Sequence, residues 1–112
     1  MNIDIKRVKI SVTVPPENVA EVRNAMCEAG AGIIGNYDHC SNSCKVVGTF
    51  RSNENANPYI GSKGELEFVD EEKLEVICDI EKAKTVIMAL RKAHPYEEPG
   101  IDIIPLLDEK SL

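Results

Sequence analysis

The chain has 112 residues, 43% of them hydrophobic, which suits one globular domain spanning residues 1–112 and is too short for two ordinary domains. Its formal net charge of −6 disfavours nucleic acid and anionic membranes as partners, since both reward a basic face. No apolar run approaches the ~20 residues that span a bilayer, and residues 1–4 lack the layout of a secretory signal. We therefore expect a cytoplasmic protein whose four cysteines are reduced.

The first part of the chain predicts a strand followed by a helix. Residues 6–14 alternate strictly between apolar and polar side chains, which is typical of a strand with one buried face. The proline pair at 15–16 ends this strand and opens a helix, because proline is tolerated in a first helical turn. Gly30 and Gly32 then end the helix.

The second part predicts strands around a second helix. Residues 44–51 form a clear strand, in which Gly48 indicates a bulge or a close approach of backbone. A polar loop covers residues 52–63, and two further strands at 65–69 and 73–80 flank an acidic triplet that we interpret as a hairpin turn. A second amphipathic helix ends at Pro95, and residues 101–107 form the last strand.

The order of these elements predicts an α+β, ferredoxin-like split βαβ fold, with two helices on one face of an antiparallel sheet. The other face should be polar if water covers it, yet Ile77, Ile104 and Leu106 are expected there. Burying each of these side chains would stabilise by roughly 1.5–3 kcal/mol, so we expect other copies of the chain to cover this face. Scattered exposed aliphatic residues are the alternative.

Four motifs in order carry a resemblance to a known family. They are GNYDHCS at 35–41, GTFR at 48–51, ANPYIG at 56–61 and HPYEEP at 94–99. Together they resemble the domain inserted in many bacterial Nif-three-like dinuclear-metal proteins of the YqfO type, and the last motif is also similar to an element of CutA. The resemblance covers nearly the whole chain and implies a CutA/PII-like homo-trimer, or a trimer-derived assembly, with clefts between subunits. It also implies a free-standing regulatory or lid module, because the flanking segments that bind two metal ions in that family are not in this sequence.

The turn at 94–99 places an imidazole, a phenol and two carboxylates between two prolines that restrict its backbone. A carboxylate that faces inward beside His94 could bind a divalent metal ion of unknown identity. A structural role explains His94 equally well, because a charged histidine at the C-terminal end of a helix interacts favourably with the helix dipole and stabilises by ~0.3–1 kcal/mol.

A second cluster combines His39 with Cys40 and Cys44, which are suitable zinc or copper ligands. In a strand these two thiols would stand about 13 Å apart, so we favour buried or half-buried thiols over a metal site. Cys27 and Cys78 fall on apolar faces and are predicted to be core residues.

The remaining candidates are polar side chains of loops and of the central strand, for which ordinary turn chemistry is the alternative interpretation. Arg51 could hold an anion, or could form a surface ion pair with Glu97 or Glu98. The complete predicted site has ligand contacts at Asn36, Tyr37, Thr49, Arg51, Asn57, Tyr59 and Tyr96, and metal ligands at His39, His94, Glu97 and Glu98.

No phosphate-binding glycine loop and no nucleophile elbow occurs in the sequence, so we predict no catalytic residue. The predicted function is a non-catalytic trimeric module that binds a small ligand or divalent metal at a subunit cleft, where the loop at 37–41 and the turn at 94–99 meet. One alternative is an interaction or lid domain that docks on a protein partner, such as a Nif-three-like dinuclear-metal core. Another is a small hydrolase-type enzyme with a carboxylate and His94 as an acid–base pair.

Overall fold

The computed structural model describes residues 4–112. The expectation that residues 1–4 carry no secretory signal therefore falls mostly on residues outside the described part of the chain. The strands and helices are β1 (Arg7–Val14), α1 (Val19–Glu28), β2 (Asn42–Arg51), β3 (Leu66–Asp79), α2 (Ile80–Ala93) and β4 (Ile101–Leu106). Short 3-10 turns lie at Pro16–Asn18 and Glu109–Ser111. Within residues 4–112, neither helix has the length and apolar character needed to cross a membrane.

The four strands form one sheet in the order β2-β3-β1-β4, and every neighbouring pair is antiparallel. Strands β1 and β2 therefore run in the same direction with β3 between them. This is the split βαβ arrangement, so the predicted ferredoxin-like fold is confirmed.

The core lies between the sheet and the two helices. It is aliphatic, as expected for a chain with no tryptophan and two phenylalanines. Every second residue of β1 and β3 points towards the helices, because side chains alternate along a strand. These residues pack against the apolar faces of α1 and α2, which repeat every 3.6 residues. Its fully buried members include Ile10, Val12, Val14, Val22, Met26, Leu74, Val76, Val86 and Leu90.

The acidic triplet at 70–72 is not a turn, and the predicted hairpin there is wrong. Strand β3 continues through it, because residues 66–75 pair with β2 and residues 72–79 pair with β1. The hairpin is instead the connection from β2 to β3, through a loop at 52–65. Because the β1 pairing stops at Glu72, residues 46–51 and 66–71 form a two-stranded projection, and no strand within residues 4–112 pairs with its β3 side. We call this projection the arm.

The sheet face away from the helices carries the apolar residues that the alternation predicted. The register puts Ile77 and Ile104 on either side of Lys9 in one row across the sheet. Ile104 is 43% exposed, while Ile77 and Leu106 are half-buried. In the single chain, this face is thus partly apolar and open.

Candidate functional site

Helix α2 ends where the candidate site begins. His94 leaves the helical conformation, with φ −78° and ψ 134°, because the following Pro95 disfavours a helical residue before it. The imidazole is buried beneath the turn. Its Nδ1 accepts a 3.1 Å hydrogen bond from the backbone N–H of Tyr96, so Nε2 carries the proton and donates to the carbonyl of Thr13 at 2.8 Å. Burial lowers the pKa of His94, although the contact with Thr13 and the charge of Glu71 oppose this.

Tyr96 connects the turn to the arm. Its hydroxyl donates a 2.7 Å hydrogen bond to Oε2 of Glu71, a carboxylate that is only 6% exposed. The ring of Tyr96 also lies 4.8 Å from the ring of His94 and 6.1 Å from that of Tyr59. Burial, and then the hydrogen bond to Glu71, raise the pKa of Tyr96 far above its usual value, so the phenol remains a donor.

Gly48 makes room for the Glu71 carboxylate on the neighbouring strand. A Cβ at position 48 would collide with Oε1 of Glu71. The predicted close approach at this glycine is therefore confirmed, and its partner is a side chain that the sequence placed in a turn.

The loop between β2 and β3 folds back onto the turn. The backbone N–H of Asn57 donates to both carboxylate oxygens of Glu97, at 3.2 Å each. These bonds hold the loop against the turn, and the ring contact between Tyr59 and Tyr96 adds to them. Asn57 contributes through its backbone N–H, whereas the pattern of polar loop residues predicted a side-chain contact.

A cavity of about 290 Å³ lies between the arm, the loop and the turn. Five residues of the predicted site line it: Thr49, Tyr59, Tyr96, Glu97 and Glu98. Several other lining residues were not predicted from the sequence, among them Thr13, Ser52 and Glu71. Gly48 was the sequence feature that pointed towards Glu71, because a glycine inside a strand indicates that another group packs closely against the backbone there.

The 35–41 loop, which contains Asn36, Tyr37 and His39, lies at the other end of the sheet. This region is attached to β3 through a 2.7 Å hydrogen bond from the N–H of Gly32 to the carbonyl of Ile77, roughly 20 Å along the strand from Glu71. Tyr37 is 75% exposed, and His39 has a positive φ of 53° and contacts Asp38. One chain therefore does not bring this loop to the 94–99 turn, and their predicted meeting stays a prediction about neighbouring copies.

Arg51 does not line the cavity. It lies at the end of the arm opposite Leu66. The ion partner of Glu98 is Arg91, at 3.8 Å and with both side chains largely exposed, so this pair contributes little to stability.

The predicted metal ligands do not converge within the described chain. No group of three or more His, Cys, Asp or Glu side chains in residues 4–112 is arranged to hold a metal ion. His94 already uses both ring nitrogens, and Glu97 accepts from Asn57. Cys40 is half-buried as predicted, but the prediction is wrong for Cys44, whose thiol is exposed. Cys27 and Cys78 lie in the core as predicted, where burial raises the pKa of both thiols.

The chain is similar in sequence to known proteins and similar in fold to solved structures. No family model matches the chain. It is 46% identical over 101 residues to a protein of Halalkalibacterium halodurans described as a GTP cyclohydrolase 1 type 2 homolog, a match that covers 90% of this chain and 27% of that protein. The crystal structure of a Bacillus cereus protein related to NIF3 is 39% identical with a TM-score of 0.81, and the match covers 96% of this chain and 27% of the other.

A third match extends over nearly the whole of a smaller protein. CutA of Archaeoglobus fulgidus, a periplasmic divalent cation tolerance protein, is 21% identical with a TM-score of 0.68, over 95% of this chain and 91% of that one. The homologues are thus Nif3-like over about nine-tenths of the chain, and the fold is CutA-like, so both predicted resemblances are confirmed. The chain spans about a quarter of the length of its Nif3-like relatives.

Proposed function

We propose that this chain is a non-catalytic, self-associating module of the CutA/PII type that binds a small ligand in the cavity beneath the 94–99 turn. The observation that carries this proposal is the buried contact of Tyr96 with Glu71 at the wall of the cavity. Small-molecule sites typically combine an apolar lining with a few fixed polar groups. Here His94 fixes the turn from behind, and Glu97 fixes the loop.

Exposed apolar residues support the proposed self-association. Leu66, Phe68 and Val47 lie on one face of the arm and are 59%, 70% and 67% exposed. Together with Ile104 on the open sheet face, they leave more apolar surface in water than scattered single residues would. We propose a trimer, in line with the CutA/PII-like architecture, in which these surfaces are covered by neighbouring copies.

A divalent metal ion is the second candidate ligand. It is favoured by the description of the CutA neighbours as divalent cation tolerance proteins. In this chain it would require carboxylates of the turn and His39 from neighbouring copies, while His94 would have to give up a hydrogen bond to join them. Elemental analysis of protein purified without chelator tests this candidate, since about one metal ion per site is expected and a metal-free trimer contradicts it.

Docking on a partner protein is the second candidate function. It is supported by the Nif3-like relatives, in which a segment matching this chain accompanies about three times as much further sequence. The partner would be a dinuclear-metal core of that type, recovered in stoichiometric amount by affinity purification. The hydrolase alternative has no such support, because both nitrogens of His94 are engaged by backbone groups.

The cavity proposal is tested by a screen with a library of small polar fragments, read out by amide chemical shifts in NMR. Binding fragments should shift the signals of Thr49, Tyr59 and Tyr96 together, because these residues line one space. Shifts confined to other surfaces, or no shifts at all, would overturn the assignment of the cavity as a binding site.

A further inference from the structure

We propose that the cavity selects an organic cation, a primary ammonium or guanidinium group on an apolar body, which Glu71 binds at the cavity wall. This inference rests on the proposed function and specifies the chemical class of its ligand. Four observations carry it: the charge of the lining, the free capacity of Glu71, the position of a buried hydroxyl, and the size and aromatic character of the space.

The lining is acidic without a compensating base. Three carboxylates, from Glu71, Glu97 and Glu98, line the cavity, and none of its lining residues is a lysine, arginine or histidine. Arg91 pairs with Glu98 only through exposed atoms at 3.8 Å, where water screens the charge. The potential inside therefore favours a positive ligand and disfavours an anion.

Glu71 has unused hydrogen-bonding capacity at this wall. It is more than nine-tenths buried, and one of its oxygens accepts from the Tyr96 hydroxyl. Its other oxygen, Oε1, accepts no hydrogen bond from any residue between 4 and 112. Oε1 is not fully buried, so a ligand in the cavity can reach it, and a charged donor forms the strongest hydrogen bond that a carboxylate oxygen accepts.

Ser52 adds a second acceptor without a partner. Its hydroxyl oxygen is buried and forms no hydrogen bond with the described part of the chain, although the residue lines the same cavity. Thr13 and Thr49 line the cavity too. An ammonium group offers three donors and no acceptor, which matches a wall of carboxylate and hydroxyl oxygens.

The size of the space favours an organic cation over a bare ion. At about 290 Å³, the cavity has the volume of about ten water molecules, and the described carboxylates do not converge as metal ligands do. The rings of Tyr59 and Tyr96 stand 6.1 Å apart at 51°, and form an aromatic corner beside the acidic wall. Such a corner contacts an apolar body and attracts a cation through the ring faces.

The experiment compares three probes of similar shape and different charge: phenethylammonium, phenethyl alcohol and phenylacetate. Each is titrated into the full chain by calorimetry, with amide chemical shifts to locate the contact. We expect phenethylammonium to bind at least tenfold more tightly than the alcohol, with shifts at Thr49, Glu71 and Tyr96, and phenylacetate not to bind there.

The variant Glu71→Gln should weaken phenethylammonium at least tenfold and leave the alcohol unchanged, since the amide keeps the shape and loses the charge. The matched control is Glu75→Gln, which removes a carboxylate from the same strand and the same sheet face outside the cavity, and should bind like the wild type.

Equal binding of the ammonium and the alcohol at the cavity would overturn the cation inference and leave the cavity a binding site. Binding of phenethylammonium at other surfaces would overturn it as well, while the fragment screen decides the proposed function independently. If Glu71→Gln does not fold, the three probes on the wild-type protein still decide the matter.

Discussion

The hydroxyl of Tyr96 lies 2.7 Å from Oε2 of Glu71 and joins the turn after α2 to the middle of β3. Twenty-five residues separate the two in sequence. The contact seals one wall of the cavity, and it explains why a carboxylate tolerates a buried position within a strand.

Replacing Tyr96 by Phe should destabilise the protein by about 1–3 kcal/mol, because it leaves the buried Glu71 carboxylate without its donor. Urea unfolding followed by circular dichroism measures this change. The matched control is Tyr37→Phe, which removes the hydroxyl of a tyrosine that is 75% exposed and should alter stability by less than about 0.5 kcal/mol. Equal effects of the two substitutions would show that the contact with Glu71 contributes nothing.

Gly48→Ala should destabilise by about 1–3 kcal/mol, because the added methyl collides with Oε1 of Glu71 and must displace it. Combining it with Glu71→Ala should cost less than the sum of the single changes, since the colliding group is gone. Gly100→Ala is the control, because its methyl would meet only the Thr13 hydroxyl at an ordinary 3.7 Å. Additivity in the double variant would contradict the steric explanation.

Acid should destabilise the protein through His94. Burial lowers its pKa below the ordinary 6.5, so the unfolded chain binds a proton at a pH where the folded chain does not. The stabilisation is complete above pH 6.5 and is lost as the pH falls from there to the folded-state pKa. Chemical unfolding between pH 8 and pH 5 should show this decline in the wild type and in His39→Gln, whereas the decline should be much smaller in His94→Gln. A decline of the same size in His94→Gln would assign it to other groups.

Glu97→Ala should loosen the loop at 52–65, because it removes both acceptors of the Asn57 N–H. Limited proteolysis should cut this loop faster, and its amide hydrogens should exchange faster, while global stability changes little. Glu98→Ala is the matched control, since its ion partner is the exposed Arg91. Identical protection of the loop in both variants would mean that the contact with Asn57 does not hold it.

Phe68→Glu should dissociate the assembly without unfolding the chain, because it places a charge on the apolar face of the arm that we propose to be covered. Light scattering should change from three times 12.3 kDa to a single chain. Met88→Glu, at a similarly exposed apolar residue of α2, should leave the mass unchanged. A wild-type protein that is monomeric at micromolar concentration would end the self-association proposal.

The sequence by itself determined the elements whose burial follows local periodicity. The alternation of residues 6–14 predicted β1, and the amphipathic pattern before Pro95 predicted α2. The sequence also predicted where α2 ends, since Pro95 disfavours a helical conformation in the residue before it. These features depend on residues within a few positions of one another, which is why they could be read in order.

Only the tertiary structure decided the site. Residues 70–72 look like a turn when read locally, yet their pairing with β2, and the pairing of the following residues with β1, carry β3 straight through them. Contacts between Glu71 and Tyr96, and between Asn57 and Glu97, depend on strand register and on how the loop folds back. Periodicity reports which face of an element is buried, but it does not report which distant side chain will meet it there.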